Sequence, residues 1–361
     1  MKILQTSYDW EYDPLVSASA WRTIAAHRLS TLAPEIASQS RSICCDENCL
    51  WNRYFGMADL RWIDFYSSRT SMFCEEYVPD DVFFAVIDPY LNKPRRAMEI
   101  DDKCLYERYF PDVKQPRTIV RVINKHIYDH SWRMVDLDEA VVLCVCAEGS
   151  VFKQATASCG GQGVRICSTE ASVRDAFKRV MLMDSDVIVQ EKIKQHHLLD
   201  SLNSGSVNTI RVITYVRANG EIVPLSSVVR VGKPGMAVDN VSLGGCTVGV
   251  TAEGITKQRG FSAKGYEIDV LPSGLSLDRS FAIPAYEQIV NQAIGMHVTF
   301  CQHRLIAWDF SVSEEEEPIL IEFNPMKAQI DFMQLNNGPL FGPYLLEILE
   351  EIHASVVNHV G

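Results

Sequence analysis

The chain has 361 residues, 47% of them hydrophobic and 22% charged, which is the composition of an ordinary globular protein with room for two or three lobes. A formal net charge of −12 excludes nonspecific nucleic-acid binding, which needs a basic surface. No run approaches the ~18 to 20 apolar residues of a membrane span, and the N-terminus meets acidic residues without an apolar signal core. With 11 cysteines, an odd and scattered set, the chain reads as a cytoplasmic protein rather than a disulfide scaffold. Cys44, Cys45 and Cys49 cluster, but lack a second Cys or His pair at zinc spacing, so buried thiols are expected there.

Residues 1–100 read as a mainly helical region. Ala20, Trp21, Ile24, Ala25, Leu29 and Leu32 recur at helical spacing within 17–37. Trp51, Tyr54, Phe55, Trp62 and Phe65 read as a second packing surface, expected to be core rather than a ligand box.

From Asp101 the pattern changes. A short helix opens at Asp102-Lys103, and Pro116 leads into a strand ending near Val122. Asp136 caps a helix running to about Cys146. The strand Val151–Gln154 then enters a loop of small residues, 157–163, and Val164-Arg165-Ile166 returns as the second arm of a hairpin. A helix from Ala171 to Met183 and a buried strand, Val187–Glu191, follow.

Beyond Asn203 the chain is strand-rich, with Val207–Val216, Ile222–Val231 and Cys246–Val250 punctuated by glycine turns. A helix over 284–300 presents Tyr286, Ile289, Val290, Ala293 and Val298 as its apolar face. Ile306–Phe310 and Pro318–Pro325 form a strand pair around a solvated turn of four glutamates, and a helix over 344–357 closes the chain.

Several of these segments carry chemistry. Glu322 and Asn324 are two apart and share a strand face, and Asp309 lies on the neighbouring strand. Three hard oxygen donors suit Mg²⁺, which completes its shell with phosphate oxygens and water. Two carboxylates set together in this way would repel each other if left empty. Lys153 precedes the glycine loop, where it neutralises phosphates or is an exposed strand lysine before an ordinary turn. Gln190-Glu191 ends a strand between lobes, suited to an adenine edge or to a hinge. Arg211 offers a planar fork for a phosphoryl oxygen or a sheet-surface salt bridge, and Asn208 has the opposite strand parity. Arg230, Asp239, Asn240, Gly244 and Gly245 make a second polar segment, either substrate-facing or a hairpin.

Taken in order, Lys153 with its loop, Gln190-Glu191-Lys192-Ile193, Asn208-Thr209-Ile210-Arg211 and Asp309 with Glu322-Phe323-Asn324 resemble the ATP-grasp superfamily. Pro89-Tyr90-Leu91-Asn92, Asp102-Lys103, Val238-Asp239-Asn240 with Gly244-Gly245, and Asn337-Gly338-Pro339-Leu340-Phe341-Gly342 are similar to its sugar-transfer-associated branch. The resemblance implies an α/β (α+β) fold of two lobes, residues 101–200 and 201–361, holding ATP between them after the N-terminal region 1–100. It implies ATP contacts from Lys153, Ser158, Gly160, Gly161, Gly163, Gln190, Glu191, Ile193 and Asn208. Mg²⁺ would sit on Asp309, Glu322 and Asn324, and Arg211, Lys153 and Arg230 would be catalytic. The implied reaction joins a small-molecule carboxylate to an amine through an acyl phosphate, releasing ADP and phosphate. A phosphotransferase and a non-catalytic nucleotide-binding module are the alternatives. Two departures stand out. Many such ligases carry an arginine two residues before the first metal aspartate, where this chain has Ala307, and Cys159 stands in the loop where a small residue is usual. Arg211 or Arg230 must then supply the missing charge.

Overall fold

The computed structural model describes residues 18–43, 48–56, 58–147, 149–156, 163–236, 239, 241–326 and 328–360. Ser158, Cys159, Gly160 and Gly161 of the glycine loop lie outside the described residues, as do Cys44, Cys45, Val238 and Asn240.

Among the described residues, the first of two antiparallel sheets contains β1 Thr118–Ile123, β2 His126–Asp129, β3 Met134–Val135, β4 Ser150–Gln154, β5 Arg165–Cys167 and β6 Val187–Glu191, in the order β3-β2-β1-β6-β4-β5. The expected hairpin is β4–β5, with Val151 opposite Ile166. The helices Leu137–Cys146 and Glu170–Leu182 begin where their caps predict. The Asp136 carboxylate accepts from the Glu139 amide at 2.8 Å, and Thr169 with Ser172 forms a reciprocal capping box. Val173, Ala176, Phe177 and Val180 recur every three or four residues, so one helix face packs onto Phe152 and Val189.

The second sheet contains β7 Thr209–Val216, β8 Ile222–Val231, β9 Cys246–Val250, β10 Thr256–Ser262, β11 Glu267–Ile268, β12 Leu305–Val312 and β13 Pro318–Asn324. Its order is β11-β10-β9-β8-β7-β12-β13. Strand alternation splits its residues between two faces. Ile210, Val212, Trp308, Phe310 and Phe323 join one core with the helix Tyr286–Thr299. That helix buries Ile289, Ala293, Met296 and His297, whereas Val298, expected on the apolar face, is 62% exposed. The true stripe follows the i, i+4, i+7, i+8 repeat from Ile289, which leaves Val298 on the far side.

The opposite face is divided along the strands. At one end Ile213, Tyr215, Leu305 and Ala307 pack under the N-terminal helices Ala18–Leu32 and Arg61–Thr70 and the C-terminal helix Leu345–Val360. At the other end the same parity brings up Thr209, Arg211, Asp309, Glu322 and Asn324. Trp51, Trp62 and Phe65 are fully buried, as expected of core residues. They lie on two helices, because Gly56 takes a left-handed φ of 58° and ends the helix Leu50–Phe55. Among the described residues no helix is long and apolar enough to cross a membrane.

Candidate active site

Register assembles the site. Arg211 on β7 lies directly opposite Asp309 on β12, and Asp309 lies opposite Glu322 on β13. Three successive strands therefore present a guanidinium and two carboxylates in one row, held in place by the apolar residues on the reverse face.

Asp309 is the hub. Arg211 grips it with two parallel bonds, Nε to Oδ1 at 2.7 Å and Nη2 to Oδ2 at 2.6 Å. Arg230 Nη1 donates to the same Oδ2 at 3.0 Å, and Asn324 Nδ2 reaches it at 3.5 Å. Burial pushes the Asp309 carboxyl up, but the two guanidiniums outweigh it and hold the group below the ordinary carboxylate range. Asp239 accepts a hydrogen bond from the Thr209 hydroxyl and lies 3.7 Å from Arg230 Nη2. Burial raises its carboxyl, and Arg230 opposes that shift.

Two ammonium groups come from the first sheet and the turn docked beside it. Lys153, on β4, donates from Nζ to Gln190 Oε1 at 3.2 Å. Lys103, in the turn capped by Asp102, sits 2.8 Å from Glu322 Oε1, and its amide bonds the carbonyl of Ala155 just past β4. Burial draws Lys153 down to about 8; Glu322 pulls the other way, and the Lys103 charge adds to the fall. The two carboxylates do not face each other unrelieved, as a reading of the bare residues suggests. Arg211 and Arg230 neutralise Asp309, and Lys103 answers Glu322.

The remaining expected residues are placed as follows. Gln190 is buried and ties Lys153 to the chain before β1, donating to the carbonyl of Pro116 at 3.1 Å. Glu191 pairs with Arg117. Ile193 is half-buried in the connection between the sheets, and Gly163 has a left-handed φ of 75° beside β5. Asn208 stands apart from these. It is wholly buried, and its amide donates to the carbonyls of Leu199 and Asn203, both at 2.8 Å, closing the loop that enters β7.

Two partners were not singled out from sequence. Gln329, just before the helix Ile330–Asn337, accepts from Arg211 Nη1 at 3.3 Å. Lys103 carried no site role either, since nothing in a short Asp-Lys turn shows that it will meet a strand more than two hundred residues later.

With this geometry in view, one match is decisive. Residues 86–350 match the family described as sugar-transfer associated ATP-grasp. The chain belongs to that family. Among curated proteins none matches it. Solved structures with a similar chain course include the D-alanine–D-alanine ligase from Coxiella burnetii, at 9% identity over 74% of this chain and 62% of that one, with a TM-score of 0.39. D-alanyl-alanine synthetase A from Vibrio cholerae O1 biovar eltor is 15% identical over 73% and 67%, with a TM-score of 0.41. The ATP-grasp ligase PsnB, complexed with minimal precursor, Mg and ADP, is 13% identical over 73% and 62%, with a TM-score of 0.40. This ATP-grasp chain spans 45% of an ADP-bound N5-carboxyaminoimidazole ribonucleotide synthetase and 62% of the Coxiella ligase.

Proposed function

We propose that this ATP-grasp protein is an ADP-forming carboxylate–amine ligase working through an acyl phosphate. The observation that carries the reading is the charge balance of the cleft. Among the described residues, Lys103, Lys153, Arg211 and Arg230 converge on Asp239, Asp309 and Glu322, four cations against three anions. Lys153 is bonded to an amide oxygen rather than a carboxylate, and Arg230 Nε has no hydrogen-bond partner among the described residues. A surplus cation between two sheets, already drawn down by burial and by a like charge, suits a triphosphate.

The donor set fits Mg²⁺. Glu322 is 24% exposed at its side chain, Asn324 lies two residues on, and Asp309 Oδ1 accepts one bond from Arg211, leaving a lone pair. Glu322, Asn324 and Asp309 would hold the ion, which supplies charge neutralisation along the phosphates. Lys153 and Lys103 would bind phosphate oxygens, Gln190, Glu191 and Ile193 would border the base, and the loop that carries Ser158, Gly160, Gly161 and Gly163 would be the one to cover the nucleotide.

An oxygen of the acid substrate attacks the γ-phosphorus as the bond to the ADP oxygen breaks. The amine then attacks the acyl carbon, phosphate leaves with the bonding pair, and the amine loses a proton. Arg211 and Arg230 stabilise the transferring phosphoryl oxygens in the first step and the tetrahedral oxyanion in the second. With no arginine at position 307, this charge comes from β7 and β8 instead.

The test is ATP consumption with Mg²⁺ against pooled carboxylic acids and amines, reading nucleotide and product masses together. ADP with an adduct formed by loss of water supports the ligase. ADP with a phosphorylated product and no amide selects the phosphotransferase, and AMP overturns the proposal.

A further inference from the structure

The guanidinium of Arg211 is held from two elements. Asp309 on β12 takes Nε and one hydrogen of Nη2, and Gln329, at the cap of the helix Ile330–Asn337, takes one hydrogen of Nη1. A guanidinium carries five N–H donors in a fixed plane. Among the described residues, one N–H on each terminal nitrogen of Arg211 is therefore left over, and these are the donors a substrate oxygen can use. Asp309 does not serve Arg211 alone, because its Oδ2 also accepts from Arg230 at 3.0 Å. Gln329 adds a further fixed point through a neutral amide, which directs the fork and leaves its charge for the substrate.

Gln329 can aim the arginine only if its helix is fixed, and the helix is fixed from outside the cleft. Asp331 and Gln334 are three residues apart and share a helix face. Gln334 is wholly buried and pairs with the backbone of Val78 in both directions. Its Oε1 accepts from the Val78 amide at 2.8 Å, and its Nε2 donates to the Val78 carbonyl at 3.0 Å. Asp331, also buried, accepts from Arg28 Nη2, while Arg28 Nη1 donates to Asp80. Asp80 in turn accepts from the Tyr66 hydroxyl at 2.6 Å. At the far end of the helix Lys257 Nζ donates to the Asn336 carbonyl at 2.7 Å, its stem crossing Gly249, where a Cβ would stand 2.9 Å from Lys257 Cδ. Arg28, Tyr66, Val78 and Asp80 all precede residue 86, where the family match begins. A part of the chain outside that match is thus tied, by buried polar contacts, to the residue that touches Arg211.

We propose that Gln329 is a positioning residue for Arg211, and that Arg28 and Gln334 brace it, so that the N-terminal helical region sets the aim of the arginine through the helix Ile330–Asn337. This rests on the ligase reading for what Arg211 does. The chain of contacts rests on the hydrogen bonds alone.

The first measurement is NMR of the Arg211 guanidinium in the full-length protein, assigned through Arg211→Lys. Rotation about the Cζ–Nη1 bond should be slow in wild type. It should be at least about tenfold faster in Gln329→Met, which keeps length and lacks the acceptor, and slow again in Gln329→Glu, which keeps one. Gln334→Met should speed it by less, and should add nothing to Gln329→Met. Lost stability alone would not follow the acceptor in this way. The second measurement is kcat and KM with the acid and amine that form an adduct in the pooled assay. Gln329→Met should lower kcat about tenfold or more at an unchanged KM for ATP, and Gln329→Glu should recover part of the loss. In an Arg211→Lys background Gln329→Met should cost nothing further. Arg211 signals that ignore Gln329→Met, or kcat losses that add in the double variant, overturn the positioning role and leave the ligase standing. No adduct from wild type, with Arg211 signals that follow the acceptor at position 329, counts against the ligase and leaves Gln329 as the residue that positions Arg211.

Discussion

Replacing Asp309 by Asn tests whether the buried row of charges is built as the structure shows. The substitution keeps shape and removes charge from a side chain that is 1% exposed and accepts bonds from Arg211 at 2.7 and 2.6 Å and from Arg230 at 3.0 Å. Arg230 would then be left with Asp239, 3.7 Å away, and Arg211 with the more distant charges of Glu322 and Asp239. Breaking a buried pair from one side costs about 3–5 kcal/mol, because the orphaned charge stays out of water. Glu322→Gln is the control. Its side chain is 24% exposed and its one strong partner is Lys103, so the expected cost is about 1–2 kcal/mol. Urea unfolding followed by Trp fluorescence measures both, since Trp308 packs on the reverse face of the same strand. Arg230→Met combined with Asp309→Asn should be less destabilised than the sum of the singles, by about 1–3 kcal/mol. On the proposed ligase reading both single acid variants should lose turnover, but Asp309→Asn alone should also lose this much stability. An Asp309→Asn protein within about 0.5 kcal/mol of wild type would refute the buried network.

Other consequences concern protons. Lys153 stands at about 8 in the free protein, and phosphates beside it would raise that value, so nucleotide binding takes up a proton. At pH 8 the uptake should be about half a proton, with affinity falling as pH rises above 8. Calorimetry with ADP in buffers of different ionisation heat reads it, and zero uptake, or the same uptake in Lys153→Met, would oppose the assignment. Burial lowers His297 to about 4, while its Nδ1 meets the Thr214 hydroxyl at 2.7 Å. Below pH 6.5 the unfolded chain binds a proton that the folded one refuses. Stability should therefore fall toward pH 4 by about 1.4 kcal/mol per unit. Denaturant midpoints at pH 7 and 5 should show this extra acid loss in wild type and not in His297→Gln. Asp80 runs the other way. Burial raises it to about 7, with Arg28 opposing and Asp331 adding to the rise. The folded state keeps a proton that the unfolded state loses near pH 4, so this contribution to stability declines from pH 4 to 7. Asp80→Asn should remove that decline in the same unfolding series, and an unchanged slope would count against a titrating Asp80.

Much of the site could be read from the chain because its parts are local. Glu322 and Asn324 share a face by the two-residue repeat of a strand, and Lys153 precedes a glycine hairpin, so spacing alone exposes them. The caps at Asp136 and Thr169 start their helices where short-range hydrogen bonding demands. The β10 strand and the helix Ile330–Asn337 were missed. β10 carries Lys257, Gln258 and Arg259 in place of an apolar alternation, and the helix is buried on nearly every side, which erases its polar face.

The sequence by itself determined which residues carry charge, which strand face each one takes and where the local turns fall, because these depend on neighbours a few positions away. Only the tertiary structure decided which charges meet. Arg211 comes to Asp309 through the pairing of β7 with β12, Lys103 to Glu322 across two sheets, and Lys257 to the end of the helix Ile330–Asn337 over one glycine. Each contact spans tens to hundreds of residues. The burial that tunes Asp309 and Lys153 comes from packing that no short window of sequence contains.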